Sequence, residues 1–202
     1  MNALICASTL LVFVLIMGCV IHFGMKAHKA QVAAWAEFAQ RHGLQAREFR
    51  LEGSYEGSPL TVEMESHGSG KNRYTVAVLS LSLQDSLPAE FSLEREGLGD
   101  KFLRFFGKED AQLGDADFDK YFDLKNLSPA AATVLRHSSV RQHLYEVARH
   151  YRDFRIRDGR LQAQGHRVPL TADQLEDFIR PGIMLARTLA EASRRSNRWT
   201  SS

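Results

Sequence analysis

Apolar residues crowd the start of the chain and then settle into shorter periods, and each change of period marks an element. From Ala3 to Met25 the run ALICASTLLVFVLIMGCVIHFGM holds 23 residues without a formal charge. As a helix rising 1.5 Å per residue it spans about 34 Å, enough for a hydrocarbon core of about 30 Å. Residues 1–25 therefore read as one transmembrane anchor that meets the lipid bilayer through residues 3–25. Helical spacing continues in KAHKAQVAAWAEFAQRHG, where Val32, Trp35, Ala36 and Ala39 share a stripe and Gly43 is placed to end it. This makes 26–43 a juxtamembrane helix.

Beyond it the period falls to two. LQAREFRLEG, PLTVEMESH, RYTVAVLSLSL and AEFSLERE predict four antiparallel strands, separated by the turn-rich GSYEGSP and HGSGKN. LGDKFLRFFG reads as a short helix. In GDADFDKYFDLK, Phe118, Phe122 and Leu124 alternate with Asp117, Asp119, Tyr121 and Asp123, which predicts a half-buried strand with an acidic outer face. Lys120 is the irregularity on its inner row. Ser128 and Pro129 supply the N-cap and first position of a helical stretch over 129–151. That stretch breaks near His137 to Ser139, and Ser139 with Gln142 suggests a second capping box. Asp158-Gly159 joins two alternating runs as a hairpin. Thr171 with Gln174 forms another capping box, and Leu170 with Leu175 a hydrophobic staple, opening a last helix. Its core stripe includes Leu175, Phe178, Ile179, Ile183, Ala186, Leu189 and Ala190, and Pro181 should kink or split it. The fold class is α+β: a transmembrane helix, then one domain over 44–195 with an antiparallel sheet of about four to seven strands and about three or four packing helices, then a tail over 196–202.

Composition limits this picture. With 202 residues, 44% of them hydrophobic and 25% charged, the chain supplies one ordinary core plus an accessory segment. A net charge of +2 excludes a polyanion binder by overall charge. The charges are unevenly placed: eleven acids against five bases from Asp85 to Asp123, then eight arginines against three acids from Arg136 to Arg167. Such blocks are solvated faces, or faces that meet across the fold, or a docking surface. Both cysteines, Cys6 and Cys19, fall in the apolar run, so the domain has no disulfide, no cysteine zinc site and no thiol nucleophile. Lys26 and Lys29 follow the run while no basic side chain precedes it, so the positive-inside rule places the domain in the cytoplasm. His22 fits an interfacial position.

Few residues suggest chemistry. Asp115, Asp117 and Asp119 invite comparison with a calcium loop, but the sixth and twelfth positions counted from Asp115 hold Lys120 and Asn126 instead of Gly and Glu. HGSGK lacks the spacing of a phosphate-binding loop. His143 and His150 stand seven residues apart, about 10 Å along a helix, too far to share one metal ion. Arg149, Arg152, Arg155, Arg157 and Arg160 form a basic cluster; Tyr151 and Phe154 beside them lie on apolar rows, leaving no stacking platform for nucleic acid. Arg194, Arg195, Arg198 and Trp199 in the tail read as a frayed terminus, or as a contact with anionic headgroups. No nucleophile elbow, metal cluster or dinucleotide fingerprint is present, so no cofactor or metal is expected.

Two resemblances add to this. LIMGC ending at Cys19 resembles a bacterial lipobox, although no basic residue precedes the run and VIHFGM prolongs it. The stretch from Phe91 to Leu124, through Gly114, Asp115, Phe118, Asp119 and Phe122, resembles a G-D-x-x-F-D-x-x-F pattern of uncharacterised bacterial single-pass membrane-anchored proteins. That resemblance implies a bacterial membrane setting and no particular activity. The expectation is a single-pass protein of the bacterial inner membrane that acts by contact with a protein partner and not by catalysis. Its interaction residues would be the five arginines from Arg149 to Arg160 with Asp115, Asp117 and Asp119. The competing readings are a membrane-surface enzyme or ion-binding module built on those aspartates, and a lipoprotein modified at Cys19.

Overall fold

The computed structural model describes residues 2–83, 86–95 and 112–199, apart from the side chains of 2–15 and 197–199. Over these residues the chain is α+β, with five α-helices and an eight-stranded antiparallel sheet. The helices are α1 (Asn2–His42), α2 (Ala116–Tyr121), α3 (Pro129–Leu135), α4 (Ser138–His150) and α5 (Ala172–Trp199). The strands are β1 (Gln45–Arg47), β2 (Arg50–Tyr55), β3 (Ser58–His67), β4 (Tyr74–Ser82), β5 (Ser92–Arg95), β6 (Phe122–Lys125), β7 (Asp153–Arg157) and β8 (Arg160–Gln164). The helix expected in LGDKFLRFFG lies outside the described residues.

Their order in the sheet is β1-β2-β3-β4-β8-β7-β5-β6. The first four strands form a meander, β5 and β6 build the opposite edge, and the β7–β8 hairpin closes the gap between the two parts. Period-two alternation then sorts side chains by face. Leu60, Leu81, Leu161, Ile156, Leu93 and Leu124 stand in register across six strands, and all are buried. Helices cover this face. Gly182 brings the backbone of α5 so close to it that an added Cβ would lie 2.9 Å from Leu79 Cδ2.

Several expectations need correcting. The run LQAREFRLEG is two strands, because a two-residue turn at Glu48–Phe49 folds it back, with Glu48 at φ 49°. The sheet consequently has eight strands where about seven was the upper expectation. The strand expected over 117–124 is a helix up to Tyr121 and a strand only from Phe122. Local hydrogen bonding decides this: the Asp115 side chain accepts from Phe118 N and caps the helix, outweighing the two-residue alternation. Phe118 and Phe122, four apart, satisfy a helical as well as an alternating pattern of burial. No side-chain cap forms at Ser139; the N-cap is His137, two residues earlier, and α4 begins at Ser138. Ser128 and the Thr171–Gln174 pair cap as expected, but Leu170 is 58% exposed and closes no staple. Pro181 does not split α5, which runs as one helix, with the Tyr151 hydroxyl donating to Phe178 O at 2.6 Å three residues before it.

α1 is continuous, so the boundary between 1–25 and 26–43 is not a break in the backbone. Its buried stripe is Trp35, Phe38 and Ala39, with Ala36 exposed. The large rings set the rotation: Trp35 Nε1 donates to Pro169 O at 3.1 Å, and Phe38 stacks on Tyr55 at 5.8 Å. Among the described residues no helix is both long and apolar enough to cross a membrane. The side chains of residues 3–15, over half of the apolar run, lie outside them.

Candidate functional site: the polar face of the sheet

The same alternation that buries one row of leucines exposes a polar row on the opposite face. Glu52, Thr61, Ser80, Gln162, Arg155 and Glu94 are register partners across six strands, and the row ends at Asp123 of β6, which is buried and not on the acidic outer face expected of it. A parallel row runs from Arg50 through Glu63, Val78 and Gln164 to Asp153. Between these rows the twist of the sheet leaves a polar trough of about 380 Å³.

The trough is held by its own side chains. Arg50 pairs with Glu63 at 3.0 Å and with Glu52 at 3.4 Å, and Arg155 Nε donates to Gln162 Oε1 at 2.7 Å. These groups are half exposed, so each pair contributes little to stability and remains free to exchange for a ligand's hydrogen bonds. The surface presents donors and acceptors in alternation, which suits an extended polar partner. Among the described residues no group of three or more histidine, cysteine or acidic side chains is arranged to hold a metal ion.

The structure distributes the five arginines. Arg155 lies in the trough, and Arg157 faces Arg160 across the hairpin near its turn. Arg152 sits beyond the other end of β7, its guanidinium 4.7 Å from the Tyr74 ring, and Arg149 is exposed in the last turn of α4. From Arg152 to Arg157 the strand runs about 16 Å, so the five do not form one cluster.

The aspartates are brought together by a local fold. Both carboxylate oxygens of Asp119 accept backbone N–H groups, from Leu113 at 2.8 Å, Gly114 at 2.9 Å and Asp115 at 3.1 Å. Asp115 caps α2 and also receives Arg141 Nη1. Asp117 is exposed in the first turn of α2. Tyr145 packs beside them, and burial followed by the charges of Asp115 and Asp117 raises its hydroxyl pKa. Arg141 carried no signal in the sequence beyond membership of the basic block. It shows that the two charge blocks meet here, as they do where Glu94 lies opposite Arg155. His143 Nδ1 lies 2.8 Å from Glu146 Oε2, and that hydrogen bond lowers the Glu146 pKa. His150 belongs to a different surface, with Phe178 and Asp177, and burial lowers its pKa.

Thr61, Glu63 and Glu65 were legible as outward positions of one strand, as were Gln162 and Gln164 of another. Their meeting depends on β8 pairing with β4, which no short-range pattern encodes. Comparison with known proteins finds no matching family model, no similar curated protein and no similar solved structure.

Proposed function

We propose that the chain is a single-pass, membrane-tethered interaction module of the bacterial inner membrane, with its α+β domain on the cytoplasmic side. One observation carries the tether. From Ile16 to Ala30 every residue of α1 is exposed. Val20 is 62% exposed and Phe23 68%, with Ile16, Ile21 and Met25 also uncovered. Apolar side chains on all sides of a helix require an apolar surrounding, and the uncharged run of 23 residues has the length of a bilayer core. Lys26 and Lys29 at its end favour the cytoplasmic orientation.

The contact role is supported by the polar sheet face, a broad surface lined by charged and amide side chains. The partner it suits is a protein that offers an extended polar segment. Alkaline extraction of membranes containing the full chain tests the tether: the protein should stay with the lipid, and release into the supernatant would refute it. Reporters fused after Ser202 should be active only if folded in the cytoplasm, and labelled fatty acid on Cys19 would replace the spanning helix by a lipid anchor. A photo-crosslinker at Ser80 in the trough should capture a protein; no adduct above background would remove the contact role.

A further inference from the structure

The two ends of the sheet differ in charge, and α1 enters at one of them. The His28 ring lies 5.2 Å from Phe49, and Gln31 Nε2 and Trp35 Nε1 both donate to Pro169 O at 3.1 Å. Counting along the helix from Met25, these contacts fall about 4, 9 and 15 Å past the end of the apolar run. The β1–β2 turn and segment 165–170 therefore flank the helix where it leaves its apolar part.

Antiparallel pairing brings further loops to the same end. Arg50 begins β2 opposite Glu63, and β3 continues four residues beyond, to His67 opposite Tyr74. That extension is about 13 Å, so loop 68–73 reaches past the start of β2 towards the level of Met25. Asp153 begins β7 opposite Gln164, the last residue of β8. The Arg152 guanidinium over the Tyr74 ring ties these starts together.

The cations here have no carboxylate partner among the described residues. Arg47 ends β1, Lys71 and Arg73 lie in loop 68–73, and Arg167 lies in segment 165–170; all four are exposed. With Arg149, Arg152, Lys26 and Lys29 they make eight, and none has a carboxylate within 4.0 Å among the described residues. The acids at this end are Glu48, Glu65 and Asp153, with Asp173 and Asp177 in the first turns of α5, where they face Arg41 and Arg180. Leu170 and Tyr74 are the large exposed apolar side chains beside them. At the far end two arginines are paired, Arg187 with Glu56 at 2.7 Å and Arg157 with Asp158 at 3.7 Å, while Arg160 and Arg194 have no carboxylate within 4.0 Å among the described residues. α5 runs towards that end, carrying Arg194 beside Glu56, so Arg194 lies away from the end where α1 enters.

We propose that the end of the sheet formed by the β1–β2 turn, loop 68–73 and segment 165–170 docks on an anionic phospholipid surface. Leu170 and Tyr74 enter the headgroup layer there. This rests on the tether reading, since α1 brings this end to the bilayer. It also explains a basic set without carboxylate partners among the described residues, on a chain of nearly neutral total charge. The domain then stands on the membrane in one orientation, with its trough held upright beside the surface.

The test uses the full chain with Cys6→Ala and Cys19→Ala, reconstituted in vesicles with a quencher on the lipid headgroup. A fluorophore is placed at Ser69→Cys in the near loop or at Asp158→Cys in the far turn. In vesicles containing phosphatidylglycerol, the label at position 69 should be quenched and that at 158 should not. The difference should fall in zwitterionic vesicles and in high salt. Each basic residue near an anionic surface contributes about fivefold to binding, so Lys71→Gln, Arg73→Gln, Arg149→Gln and Arg167→Gln together should lower the docked-to-free ratio by several hundredfold, on the order expected for four such charges. Equal quenching at both positions, or no dependence on lipid charge, would overturn the docking. Release of the near label by an equimolar oligonucleotide would also overturn it, in favour of nucleic acid. Flotation with zwitterionic vesicles reads the tether separately. A chain that floats without the label difference loses the docking alone; one that floats with neither lipid loses both; one that floats only with anionic vesicles keeps the docking and loses the tether.

Discussion

Replacing Asp119 by alanine should cost far more than the same change at Asp117, its neighbour two positions away. The Asp119 carboxylate accepts three N–H groups at 2.8, 2.9 and 3.1 Å, and the residue is only partly exposed. A hydrogen bond to a charged group contributes about 1.5–3 kcal/mol, and the Gly114 donor is in reach of water, so the net loss is about 3 kcal/mol. With a urea slope of about 2 kcal/mol/M, the unfolding midpoint falls by about 1.5 M. Asp119→Asn keeps one acceptor oxygen and loses the charge, and should fall by roughly half as much. Asp117→Ala, at an exposed position, should stay within about 0.5 kcal/mol. Urea titration of the full chain in mild detergent, followed by the fluorescence of buried Trp35, measures all three. Equal midpoints for the two alanine variants would refute the carboxylate's role in holding the loop. A midpoint of the parent chain that rises with added calcium and falls with chelator would point instead to an ion at these aspartates.

Other predictions follow from single contacts. Gly182→Val should destabilise by about 1–3 kcal/mol, because a Cβ would meet Leu79 Cδ2 at 2.9 Å; an unchanged melting temperature would mean that α5 lies further from the sheet. Trp35→Phe removes the donor to Pro169 O and should cost about 1 kcal/mol in urea titration, with no change in flotation. A double-mutant cycle with Asp115→Asn and Arg141→Gln should give a coupling of about 1 kcal/mol, and additive effects would show the pair to be incidental. Burial lowers the His150 pKa from its ordinary 6.5, so the unfolded chain binds the proton better. Its contribution to stability is present above 6.5 and is lost as pH falls through the folded value. His150→Asn should therefore flatten the fall in melting temperature between about pH 7 and pH 5, and an unchanged slope would rule this out.

Long periodic segments of the fold were legible in the sequence. The capped starts at Ser128 and Thr171, the Asp158-Gly159 hairpin and the leucine rows could all be read from side-chain type and spacing. Misreadings came where two periods fitted the same residues. Phe118 and Phe122 satisfy both, and the decision belongs to the Asp115 and Asp119 side chains, whose partners are backbone groups that every residue possesses. On α1 the stripe was assigned through Ala36, because alternatives one position apart look alike until a partner such as Pro169 is known. The trough and the basic end share a further difficulty. Arg152 meets Tyr74, and Gln164 meets Val78, across more than seventy residues of chain. Local patterns say which way such side chains point, but not which strands stand beside one another.

Strand order has a consequence for synthesis. β7 and β8 are the last strands made, yet they occupy the middle of the sheet, between β4 and β5. Until residue 164 is available, the meander of β1–β4 and the β5–β6 pair are separate, each with an edge that lacks its neighbour. Under the proposed tether, α1 would meet the bilayer while the sheet is still in two parts. Joining them requires contacts such as Val78 with Gln164, which places this domain among slow folders of high contact order. A shortage of chaperone during that interval should leave the protein aggregated through the waiting edges of β4 and β5.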